Sequence, residues 1–151
     1  MNALPIVEVK NASLFRSEAT VVSPALKLLE RTKKWREEAR FMQKEATFFS
    51  KIILKSHALA HGAKKEQLFL LQSQFFQFRD NDLAARRADL DRHEAQLSEQ
   101  ANCKYPPSSF GNLYDSHRDL EGKLEELDAV LKGLKLKAFE VIGEFLTVRI
   151  F

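Results

Sequence analysis

The sequence has little that bends, cross-links or anchors a chain. Its 151 residues include one cysteine, four prolines and five glycines. The single Cys103 excludes an internal disulfide, and it belongs to no cysteine pair with zinc spacing. No run of about 18 apolar residues is present, which excludes a membrane-spanning helix. The opening "NALPIVEVKN" lacks the basic and apolar regions of a secretory signal, so a cytoplasmic protein without a membrane partner is the expectation. A phosphate-cradling glycine loop, a hydrolase elbow and a haem motif are all missing from the sequence. Neither an enzyme nor a bound cofactor is therefore expected.

What the chain does have is charge and helical periodicity. Charged residues make up 30% and hydrophobic ones 44%, the balance of a globular domain with a sizeable core. The formal net charge is only +3, and each segment carries both signs. A nucleic-acid partner would want a face of one sign left over for phosphates, so none is expected.

Residues 1–23 alternate weakly ("LPIVEV") and then turn polar, which reads as an N-terminal arm ahead of a helical bundle over 24–151. Ser23-Pro24 has the residues of a helix start, with serine at the cap and proline at the first helical position. From there Leu28, Trp35, Met42 and Phe49 recur in sevens, and the periodicity predicts a helix over 24–61. Gly62 follows. Continued through Gly62, the stripe of the first helix would fall out of step by one with the next, so a tight reversal is expected there. The second helix is expected over 63–101, with a stripe at Phe69, Gln72, Phe76, Arg79, Leu83, Arg86, Leu90, His93 and Leu97. Pro106 and Pro107 in "NCKYPPSSFGN" break the next connection. A third helix over 112–148 keeps a strict alternation of three and four, from Leu113 and His117 through Leu131 to Phe145 and Val148. The fold class implied is all-α: an elongated, antiparallel, coiled-coil-like three-helix bundle.

Leucine alternating with cation on one stripe asks for a partner. Folding the first two helices about Gly62 sets Glu45 opposite Arg79 and Glu38 opposite Arg86, and two ion pairs across the seam would fix its register. A second candidate lies nearer the 102–112 loop, where His93 and His117 fall at about the same level. They could form a hydrogen-bonded polar layer, a metal set with a neighbouring acid such as Asp89 or Asp119, or an acid/base pair. His57 and His61 have the four-residue spacing of a two-histidine metal clip, or could complement the dipole at a helix C-terminus. Phe75 and Phe78 widen the second stripe beyond one partner and are expected to meet the third helix, the arm or a second subunit.

The Trp35-x-x-Glu38 start, "FMQKEATFF" and the later "LDRHE" and "SHRDLE" resemble small bacterial helical-bundle proteins, over most of residues 30–146. That resemblance implies a fold and no activity. The reading that follows is a non-enzymatic interaction or scaffold protein whose partner is another protein or a second copy, with metal binding at His93 and His117 as the alternative.

Overall fold

The computed structural model of the chain describes residues 23–102 and 110–150, with side chains described over 23–102 and 111–143. The expected arm, apart from Ser23, lies outside these residues, as do Cys103 and the side chains of Phe145 and Val148. The described chain is all-α and has three rods. Helix α1 spans Pro24–Leu59. The second rod is α2 (Gly62–Gln77), a π-helical turn (Phe78–Leu83) and α3 (Ala84–Ala101), joined without a break. Helix α4 spans Phe110–Ile150.

The start of α1 follows from its first two residues. Ser23 Oγ accepts from the Ala25 amide at 3.2 Å, and Pro24 stands where a missing N–H is not needed. The other end closes within two residues. Ala60 and His61 are extended, and Gly62 has φ +61°. A side chain at 62 would meet no neighbour, but the left-handed backbone costs about 1–2 kcal/mol for any residue with a Cβ. Glycine is there for its backbone.

Side-chain pairs set the directions of the rods. Arg87 donates to Gln43, and Arg36, seven residues earlier on α1, reaches Glu94, seven later on α3. These two rods run in opposite directions. Arg31 meets Glu121 at 3.4 Å and Glu45 meets Lys135 at 2.8 Å, fourteen residues on along both helices. Helices α1 and α4 therefore run the same way, and the topology is up, down, up.

The core is one continuous column. Helix α1 contributes Trp35, Ala39, Met42, Ala46, Phe49 and Ile53, all at most 8% exposed. Of the expected sevens Trp35, Met42 and Phe49 are there, while at the first of them Leu29 is buried in place of Leu28, and the intervening position is four residues on (Ala39, Ala46, Ile53) and not three (Glu38, Glu45, Ile52). The small alanines let the facing backbone approach, so the buried face of α1 is rotated from the expected one.

The second rod also departs from expectation. Leu68, Leu71, Phe75 and Phe78 are buried, whereas Phe69 and Phe76, expected on the stripe, are 60% and 40% exposed. An unbroken α-helix burying that set would next turn Asp82, Asp89 and Gln96 inward. The π turn takes up one extra residue, and Leu83, Leu90 and Leu97 are buried instead. Phe75 and Phe78 thus belong to the main core, with Phe75 stacked on Phe49 at 5.7 Å. Helix α4 follows its alternation, burying His117, Leu120, Leu124, Leu127, Leu131, Leu134 and Ala138.

Candidate functional site

A polar layer interrupts this column near the start of α1. His93 on α3 and His117 on α4 are 4% and 3% exposed, and His93 Nε2 lies 2.9 Å from His117 Nδ1. His117 also stacks on Trp35, with ring centroids 4.4 Å apart and an angle of 26° between planes. One residue from each rod makes the layer: the indole of α1, the imidazole of α4 and the imidazole of α3.

The hydrogen bond requires one nitrogen to donate and the other to accept, so the two rings are never both protonated in this contact. Burial lowers the pKa of His93. His117 is lowered to about 4, first by burial, then by the charge His93 would bring; Glu121 pulls upward and Arg31 downward. Both rings are uncharged at neutral pH. His117 Nε2 is buried with no hydrogen-bond partner. A tautomer with the proton on Nδ1 leaves a bare lone pair at Nε2 and makes His117 the donor to His93. The opposite tautomer would strand an N–H, the costlier orphan.

The sequence places the two histidines at one level, and they touch. The metal set it offered needs more ligands than two imidazoles. Among the described residues no group of three or more His, Cys, Asp or Glu is arranged to hold a metal ion. Asp89 and Asp119 line a polar pocket of about 200 Å³ beside His93, but each is engaged by a cation: Asp89 by Arg86 and Arg92, Asp119 by Lys123 at 3.1 Å.

The two expected ion pairs are replaced by others. Glu45 bonds Lys135 of α4, Arg79 bonds its neighbour Asp80 at 2.8 Å and lies over the Phe76 ring, and Arg86 is 3.3 Å from Asp89 on its own helix. Glu38 is exposed. The reason is the rotated face of α1 and the one-residue slip of the second rod, which take all four side chains out of the α1 seam. Among the described residues, pairs that cross between rods include Arg36 with Asp91 and Glu94, Arg31 with Glu121, and Glu45 with Lys135. Apart from Glu45, none of these residues stands on an apolar stripe in the sequence, so periodicity gave no signal for their pairing. The His57 and His61 clip is also dissolved: α1 ends at Leu59, His57 stays in its last turn near Phe69, and His61 sits beyond the end, exposed.

At the opposite end from the histidines, apolar side chains face outward. Phe48, Leu54, Phe69, Leu70, Leu136 and Phe139 are each more than half exposed. Phe48 and Phe139 both pack edge-on against the buried Phe49 ring, so two of these phenylalanines extend the core to the surface. Among the described residues no helix is long and apolar enough to cross a membrane. No family model matches the chain, and neither a curated protein nor a solved structure does.

Proposed function

We propose that the chain is a non-enzymatic cytoplasmic interaction or scaffold protein that associates with a second copy of itself through the Gly62 end of the bundle. The observation that carries this is the outward-facing set Phe48, Phe69, Leu70, Leu136 and Phe139, between 59% and 65% exposed. Single exposed apolar residues are ordinary on any surface, but large aromatics gathered at one end of a rod are characteristic of an interface. A non-enzymatic reading is favoured by the histidine pair itself. Its rings are neutral, hydrogen-bonded to each other and closed off by Trp35, so they do not present a base to a substrate. The same closure favours a structural polar layer over the metal alternative for His93 and His117.

Light scattering across a concentration series tests the association. The wild type should show twice the chain mass at micromolar concentrations, and Phe48→Glu with Phe139→Glu should return it to the monomer mass with the helical spectrum unchanged. A monomer mass for the wild type at every concentration would sink the reading.

A further inference from the structure

Between α1 and α4, closer to the histidine layer than the Gly62-end patch, lies a groove of about 800 Å³. Its floor is Trp35, Met42 and Leu124, and Phe41 stands at its rim, 60% exposed. Six carboxylates line it, Glu37, Glu38, Glu45, Glu121, Glu125 and Asp128, against two ammonium groups, Lys34 and Lys135. In a chain of formal charge +3, this is a local excess of negative charge.

Four of the six carboxylates have a cation: Glu37 has Arg40, Glu45 has Lys135, Glu121 has Arg31 and Asp128 has Lys132. Glu38 from the α1 wall and Glu125 from the α4 wall make no ion pair among the described residues. An apolar floor between two unneutralised carboxylates asks for an occupant with an apolar stripe flanked by cations. The groove's shape narrows the choice further. Its α1 wall runs from Lys34 to Glu45, twelve residues, or about 18 Å at 1.5 Å per residue. That is the length of three helical turns, and the groove lies along two helices that run in the same direction.

We infer that this groove docks a basic amphipathic helix of a partner protein, which completes a four-helix bundle. The mode is helix in groove, with Leu-like anchors three and four residues apart against Trp35, Met42 and Phe41, and Lys or Arg reaching Glu38 and Glu125. The inference rests on the reading of the chain as an interaction protein. Its lining residues are distinct from the five exposed apolar residues of the self-association set, so either can fail alone.

The probe is a synthetic 15-residue peptide with leucines at helical spacing and lysines elsewhere, titrated into the full chain. Calorimetry gives the affinity, and the fluorescence of Trp35, the one tryptophan, reports on the groove floor. The Lys/Leu peptide should bind one to one and shift the Trp35 emission. Glu38→Lys with Glu125→Lys should weaken it by about tenfold or more, whereas Glu66→Lys with Glu140→Lys, the same charge change at exposed sites outside the groove, should leave it within about twofold. Phe41→Ala should weaken it at unchanged charge. Four results would overturn the inference: no saturable binding, equal binding of a Leu/Glu peptide, equal loss in the two double variants, or a groove variant that changes only self-association because a second copy is the occupant.

Discussion

A pair of neutral imidazoles in an apolar column stabilises the fold only while it stays neutral. Because both histidines have pKa values below the ordinary 6.5, the unfolded chain binds protons that the folded chain refuses. Their contribution is whole above about pH 6.5 and is lost as the pH falls toward 4, where His117 titrates in the fold. Denaturant unfolding at stepped pH should show stability falling across that window, by up to about 1.4 kcal/mol per pH unit for each proton taken up only on unfolding. In His93→Leu with His117→Phe the slope should flatten; an unchanged slope would assign the pH dependence to carboxylates. The phenylalanines give a second test at this scale. Phe75→Ala empties a site that is fully buried and should cost about 3–5 kcal/mol, while Phe69→Ala at 60% exposure should cost under about 0.5 kcal/mol. A stripe read as an unbroken heptad pattern through Phe69 and Phe76 demands the reverse order, so the pair of unfolding midpoints separates the two phases directly.

Among the elements, the π turn makes the strongest demand on the sequence. It exists because the second rod holds two apolar patterns that are one residue out of phase, Leu68 to Phe78 and Leu83 to Leu97. Deleting Asn81, an exposed residue of the turn, brings the patterns into one α-helical phase. The deletion variant should keep its helical content and its unfolding midpoint, whereas deleting Ala95 in α3 moves Leu97 off the seam and should lower the midpoint. The contrast explains what could be read from the residues alone. Ser23-Pro24, Gly62 and the alternation of α4 are local signals, each complete within a turn or two, and all three rods follow from them. The layer of His93 and His117 was legible for the same reason: it needs only the approximate level at which two helices meet. The ion pairs needed the rotation of each helix to within one residue. Glu38 and Glu45 stand three residues from Trp35 and Met42, Ala39 and Ala46 stand four, and only packing against two neighbours decides between them. The slip inside the second rod was hidden because Leu83, Leu90 and Leu97 continue backward in sevens to Phe76 and Phe69, which are apolar yet lie outside the core.

Across the whole molecule, polarity is graded along the rod, with the histidine layer and most of the inter-rod ion pairs named above toward one end and most of the exposed phenylalanines toward the other. Self-association through the apolar end should therefore resist salt, since it removes apolar surface from water, while peptide capture in the acidic groove should weaken as salt screens Glu38 and Glu125. Following both as a function of ionic strength tells the two surfaces apart in one preparation. The odd number of rods has a mechanical corollary. Three helices in an up, down, up order bring the chain in at one pole and out at the other, so α1 begins and α4 ends some 54 Å apart, the length of 36 residues at 1.5 Å each. A tension applied between those two points runs along the axis and loads the packed faces of α1 and α4 in shear, over every layer of the column at once. A four-rod bundle with its ends together would instead unzip one layer at a time. A rod of this topology would hold groups joined to its two poles at a fixed spacing and would resist load along its length as a strut does.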